Sequence, residues 1–131
     1  MFMRELNDAV LLRNQVIDLF EIAAVLTNEE ERREHLRFVI VGAGPTGIET
    51  ATEIYDLIHH VLLKRYPEIP ANIPEVCIVQ SGEQVLPGWD KKIVQITERQ
   101  LAKMDIKVYL KSRVAEVGPN FVSLGKDTEP L

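Results

Sequence analysis

The stretch "RFVIVGAGPTGIETATEI", Arg37 to Ile54, constrains the fold of this chain more than any other. Phe38 to Val41 form a short apolar run, rich in β-branched residues and stopped at once by glycine, as expected for a strand buried on both faces. From Pro45 the apolar period changes. Ile48, Ala51, Ile54 or Tyr55, Ile58, and Val61 or Leu62 recur at helical steps, while Glu49, Glu53, Asp56 and His60 fall on another face. Proline at the first helical position is pre-shaped for a helix start and gives up no needed hydrogen bond. The stretch therefore reads as a strand feeding a helix through a turn with three glycines.

The rest of the chain repeats that alternation. "VCIVQ", Val76 to Gln80, is a second buried-type strand, reached through the proline-punctuated loop "KRYPEIPANIPE". Asp90 can cap a helix carrying Ile93, Val94, Thr97, Leu101 and Met104, and "IKVYL", Ile106 to Leu110, is a third strand. Two alternating stretches around Gly118-Pro119-Asn120 predict an antiparallel hairpin. Upstream, Leu6, Ala9, Val10, Val16, Ile17, Phe20, Ala23 and Ala24 share one face of a helix from about Glu5 to Leu26. "TNEE" offers a capping box with Thr27 as N-cap and Glu30 reaching back, opening a short helix that ends near Leu36. Strand, helix, strand, helix, strand argues for a three-layer α/β fold with a parallel, Rossmann-like sheet, an antiparallel β-hairpin and an N-terminal helical segment.

Composition narrows the classes of function. A chain of 131 residues, 46% of them hydrophobic, is one domain's worth and can bury roughly two-thirds of its unfolded surface. The net charge of -5 and the dispersed basic residues provide no footprint for nucleic acid. Cys77 is the single cysteine, set in the apolar run "VCIV", so neither an intrachain disulfide nor a CxxC redox pair can form. His59 and His60 are adjacent and point about 100° apart on a helix, which argues against a metal pair. Apolar runs fall short of the roughly 20 residues of a membrane span. "MFMRELND" also lacks the apolar core of a secretory signal, so a cytoplasmic location is expected.

Gly42, Gly44 and Gly47 fit G-x-G-x-x-G between a predicted strand and a predicted helix, the context that makes this pattern specific. Gly42 permits the tight turn, Gly44 removes the side chain that would block a pyrophosphate, and Gly47 lets helix and strand approach. The first helical turn then aims unpaired amides at the phosphates, so Gly42, Ala43, Gly44, Pro45, Thr46 and Gly47 are the candidate cofactor cradle. The motif calls for an acid at the end of the second strand to hold a ribose, and Gln80 stands there instead. An amide can still bond a ribose hydroxyl, but it does not repel a 2'-phosphate as a carboxylate would. No arginine follows to clamp such a phosphate, and Glu83 lies close by. The expectation is NADH use with NADPH tolerated.

"FVIVGAGPTGIETATEI", "VCIVQSGEQVLPGWDKK" and "LAKMDIKVYLKSRVAEV" together resemble the NAD(P)H-binding domain of the FAD-dependent pyridine nucleotide oxidoreductases. Within them the chain is most similar to type II NADH dehydrogenases, the NADH:quinone oxidoreductases. "GPTGIE" and the "VLPGWD" turn are its most specific parts. Such enzymes carry one glycine motif for FAD at the N-terminus and a second, in an inserted domain, for NAD(P)H. This copy resembles the second.

The resemblance implies hydride transfer from NAD(P)H to FAD, with a quinone as acceptor. It places Glu49 near the nicotinamide and flavin as the catalytic residue, and Val114 on the adenine side. Glu49 also suits the helix dipole whatever its function. By the same resemblance, residues 1–36 are a helical linker from the flavin side and residues 37–131 an NAD(P)H-binding domain, incomplete at its C-terminal end. The FAD domain, quinone-site segments and membrane-binding helices would lie outside this chain, with the whole protein peripheral on the inner face of a membrane. The chain alone is expected to bind nucleotide weakly, to catalyse nothing, and to self-associate through its first helix. Two alternatives stay open: the NAD(P)H domain of a ferredoxin or disulfide reductase, and a non-catalytic nucleotide-sensing module.

Overall fold

The computed structural model describes residues 6–125. Their elements follow in the order α1 (Leu6–Val25), α2 (Glu29–His35), β1 (Arg37–Val41), α3 (Pro45–Leu57), a π-helical turn (Ile58–Leu62), α4 (Leu63–Arg65), β2 (Glu75–Val79), α5 (Lys91–Lys103), β3 (Lys107–Tyr109), β4 (Val114–Val117) and β5 (Val122–Leu124). The chain divides into two compact units. One takes the residues up to Arg37 together with Glu53–Glu75; the other takes Phe38–Thr52 together with the residues from Val76 onward.

In the first unit, α1 buries Val16, Phe20 and Ala23, a stripe at helical spacing within the predicted face. Leu36, Ile54, Ile58, Leu62, Ile69 and Ile73 complete that unit's buried apolar set, and the Phe20 and Tyr66 rings lie 6.1 Å apart. Arg32 of α2 ties the last turn of α1 to the loop after α4: Nε donates to the Ala23 carbonyl at 3.1 Å and Nη1 to the Glu68 carbonyl at 2.9 Å. The cap of α2 falls one residue later than expected. Asn28, not Thr27, is the N-cap, its Oδ1 accepting from the Glu31 N–H at 3.2 Å. That register puts Glu29, Glu30 and Glu31 all in the first turn, where the helix dipole favours carboxylates. The 3.6-residue repeat of the third helix also conceals the π-turn at Ile58, whose carbonyl accepts from the Leu63 N–H.

In the second unit, β1, β2 and β3 form a parallel sheet in that order, with Cys77 opposite Lys107 and Val79 opposite Tyr109. β2 is the buried strand: Val76, Cys77, Ile78 and Val79 are all enclosed. β1 departs from expectation. Phe38 is buried, but Val41 is 61% exposed, because β1 is an edge of the three described strands while β2 is flanked on both sides. Helix α5 is capped by Asp90, whose Oδ1 accepts from the Lys92 N–H at 2.8 Å, and it buries Val94 and Leu101 while Ile93 stays exposed. Its C-terminus is closed by Ile106 N–H to the Leu101 carbonyl at 3.0 Å and Asp105 N–H to the Ala102 carbonyl at 3.1 Å. That is a Schellman arrangement with Asp105 at φ 55° in the place usually taken by glycine. β4 and β5 pair antiparallel as predicted, with a bulge between Val114 and Glu116.

Candidate functional site

The glycine turn is built from hydrogen bonds that only a folded sheet can supply. Gly42 has φ 101°, which a side chain would strain, and its N–H donates to the Val79 carbonyl at 2.8 Å. Ala43 is fully buried, and both of its backbone polar groups are paired. Its N–H donates to Gln80 Oε1 at 3.1 Å, and its carbonyl accepts from the Leu86 N–H at 2.8 Å. Leu86 makes that bond from φ 48°, a left-handed conformation unusual for a leucine, and its own carbonyl accepts from the Trp89 N–H at 3.0 Å and from Gln84 Nε2 at 3.2 Å.

Gly44 and Gly47 differ in what surrounds them. A Cβ on Gly44 would meet nothing within 4 Å, whereas one on Gly47 would collide with the Gly42 carbonyl, with its carbon at 3.0 Å and Ile40 Cγ2 at 3.6 Å. Gly47 is thus demanded by helix-to-turn packing, and Gly44 leaves room facing outward. The Ile48 N–H donates to the Gly44 carbonyl at 3.0 Å, opening α3. Helix geometry leaves the Thr46 and Gly47 amides without an intrahelical acceptor, and Pro45 has none to satisfy. Gly44, Thr46 and Gly47 therefore form a cradle with space and donors, the fit that an anionic pyrophosphate needs.

Gln80 follows β2 rather than ending it, although its N–H continues the ladder to the Tyr109 carbonyl at 2.9 Å. Because Ala43 presents a donor, the amide oxygen must face the turn, which leaves Nε2 as the group Gln80 can offer elsewhere. The backbone after β3 joins the same edge of the sheet. The Ser112 N–H donates to the Gln80 carbonyl at 3.0 Å and the Lys111 N–H to the Gly82 carbonyl at 2.9 Å. The segments after β1, β2 and β3 thus meet at the carboxyl ends of the strands, where open α/β sheets place ligands.

The remaining candidates stand apart from this network. Glu49 is exposed on α3, and its carbonyl accepts from Thr52 Oγ1 at 3.0 Å. Val114 is half-buried and belongs to the two-stranded sheet, opposite Leu124. Cys77 is buried, as expected. His60 Nε2 lies 3.6 Å from Asp56 Oδ1, and His59 stacks on Tyr55 with ring centroids 4.1 Å apart. The described residues hold no group of three or more His, Cys, Asp or Glu able to bind a metal. Nor do they include a helix long and apolar enough to cross a membrane. Trp89 is 48% exposed, in the turn closed by its N–H to the Leu86 carbonyl. Sequence reasoning missed the double tether on Ala43 and the part played by Leu86 and Lys111. The only signal available was "VLPGWD", whose Pro-Gly pair marks a turn without saying what it holds.

Comparison with known proteins places these features in a family. The sequence pattern of the family described as pyridine nucleotide-disulphide oxidoreductase matches residues 2–129. The external alternative NAD(P)H-ubiquinone oxidoreductase B1 of potato mitochondria (Solanum tuberosum) is 37% identical over 124 residues, covering 94% of this chain and 21% of that protein. The type II NADH:quinone oxidoreductase NdhA of Mycobacterium tuberculosis is 36% identical over 115 residues, covering 88% of this chain and 24% of its own length. NDH2 of Plasmodium falciparum, solved in complex with NADH, superposes with a TM-score of 0.85 at 26% identity, over 91% of this chain and 24% of that one. The chain thus spans between a fifth and a quarter of the length of these relatives. With its glycine turn, parallel sheet and almost full-length sequence match, the chain belongs to the pyridine nucleotide-disulphide oxidoreductase family.

Proposed function

We propose that this chain is the NAD(P)H-binding part of a flavoprotein NADH:quinone oxidoreductase, and that it takes NADH with NADPH tolerated. The observation that carries the reading is the Ala43 tether: the turn is held rigid from behind while Gly44 stands open in front. A pre-formed cradle of this kind pays little ordering cost on binding. The potato and mycobacterial relatives, an NAD(P)H-ubiquinone and an NADH:quinone oxidoreductase, and the NADH complex of the Plasmodium protein support it.

In this reading the backbone of Gly44, Thr46 and Gly47 holds the pyrophosphate, Gln80 Nε2 reaches the adenosine ribose, and Val114 lies on the adenine side. Glu49 orients the nicotinamide end. NADH held there would supply a hydride to an FAD bound by another domain of the polypeptide, and the reduced flavin would deliver two electrons, with protons, to a quinone. Residues 1–36 act as the helical link to that flavin domain and residues 37–131 as the nucleotide domain, with the whole protein peripheral on the inner face of a membrane. Leu6, Val10, Leu11, Ile22 and Val25 of α1 are exposed apolar residues, so the isolated chain self-associates through that helix.

Calorimetric titration of the purified chain with NADH and NADPH tests the cofactor reading, with binding of both and a preference for NADH expected. Gln80→Glu keeps an acceptor for the Ala43 N–H and replaces the outward donor by a carboxylate oxygen, so the preference should move further toward NADH. An unchanged ratio would remove Gln80 from the ribose site. Steady NADH:quinone turnover by the chain alone, without added protein, would defeat the assignment of the flavin to another domain.

A further inference from the structure

Resting on the dinucleotide reading above, we infer that Lys111 and the Gln80 amide form the subsite for the 2'-phosphate of NADPH. Tolerance of that cofactor is then set by the segment after β3 as much as by the end of β2.

Three observations converge on it. The first is the polarity of Gln80. Its Oε1 is committed to the Ala43 N–H, so the group left for a ligand is a donor, which suits a phosphate oxygen. The second is the backbone of Lys111, at φ 51° in the left-handed region where glycine, asparagine and aspartate are the usual occupants. The consecutive N–H groups of Lys111 and Ser112 donate to the Gly82 and Gln80 carbonyls, which seats a strained lysine directly beside the Gln80 segment. Strain held at the carboxyl edge of a parallel sheet points to a role for the residue that bears it. The third is availability: Lys111 is exposed and forms no ion pair among the described residues.

The neighbouring groups sharpen the assignment. Ser112 Oγ donates to the Leu110 carbonyl at 2.9 Å, so this hydroxyl proton is already committed. Arg113 is exposed one residue further along and adds positive field. Glu83, exposed on the β2 side, opposes it. A 2'-phosphate meets a donor, a cation and one repelling carboxylate, which fits tolerance rather than strong preference. No sequence spacing announces the pair, because 30 residues separate Gln80 from Lys111 and only the parallel pairing of β2 with β3 unites them.

Titration of the purified chain with AMP, 2'-phospho-AMP, NADH and NADPH isolates the phosphate contribution. Lys111→Asn removes the charge while suiting the left-handed backbone, and Lys111→Arg restores it. Lys111→Asn should weaken NADPH and 2'-phospho-AMP by roughly three- to tenfold, the range of one charge-assisted contact near water. AMP and NADH should bind unchanged, Lys111→Arg should recover the phosphorylated pair, and Glu83→Gln should tighten it about twofold at low salt. Equal weakening of all four ligands, or no change in any, would overturn the subsite while leaving the nucleotide reading intact. No binding of any of the four to the parent chain would overturn both.

Discussion

The glycine turn and the N-terminal helix are both plain in the sequence, and the structure treats them in opposite ways. In the turn, few residues carry many constraints: Gly42, Ala43 and Gly47 are each fixed by a named backbone neighbour. Helix α1 spans 20 residues yet buries only Val16, Phe20 and Ala23, with Leu6 and Val25 each 81% exposed. The glycines of the turn are specified by the conformational range of single residues, although the bonds that hold the turn come from Val79, Gln80 and Leu86. An amphipathic face is specified only once something covers it.

If that contrast holds, the few anchors of α1 should be costly to lose. Phe20→Ala removes the largest fully buried side chain of its unit and should destabilise the chain by about 3–5 kcal/mol. Chemical denaturation would read it, and a loss near 1 kcal/mol would mean that α1 is not anchored as described. Gly47→Ala comes next. Its methyl would collide with a backbone carbonyl that has nowhere to move, so a loss of about 2–3 kcal/mol is expected, together with loss of nucleotide binding.

Gly44→Ala separates the cradle from the scaffold. Nothing within 4 Å opposes the methyl, so the melting temperature should stay put while NADH affinity falls roughly tenfold. A changed melting temperature with intact affinity would reverse the roles given to the two glycines. The smallest effect belongs to the exposed end of α1. Leu6→Gln should change stability by less than about 0.5 kcal/mol, while sedimentation shows less self-association.

Much of the fold is legible in the sequence, for reasons that differ along the chain. β2 announced itself through an unbroken apolar run, and the hairpin through Gly118-Pro119-Asn120 between alternating stretches. The end of α5 was harder to see. Asp105 occupies the left-handed cap, and no glycine marks the place. The cap of α2 slipped from Thr27 to Asn28 because both residue types accept from a helical N–H, and the choice rests on where the three glutamates then fall. The π-turn at Ile58–Leu62 was invisible, since the four-residue step between the buried Ile58 and Leu62 is close to one full turn of either an α- or a π-helix.

For the candidate site, the glycine turn could be read from the sequence and the residues that steady it could not. The sequence by itself determined the strand–turn–helix, the open position at Gly44 and the absence of an acid at position 80. Each of these depends on the conformational range of one residue type or on a single side chain's chemistry. Tertiary structure decided that Gln80 turns its oxygen to the Ala43 N–H, that Leu86 holds the Ala43 carbonyl, and that the Lys111–Ser112 backbone runs beside the Gln80–Gly82 segment. Those pairings join residues tens of positions apart. A hydrogen bond of that kind exists only after parallel strands have brought their carboxyl ends together, so no local pattern can encode it.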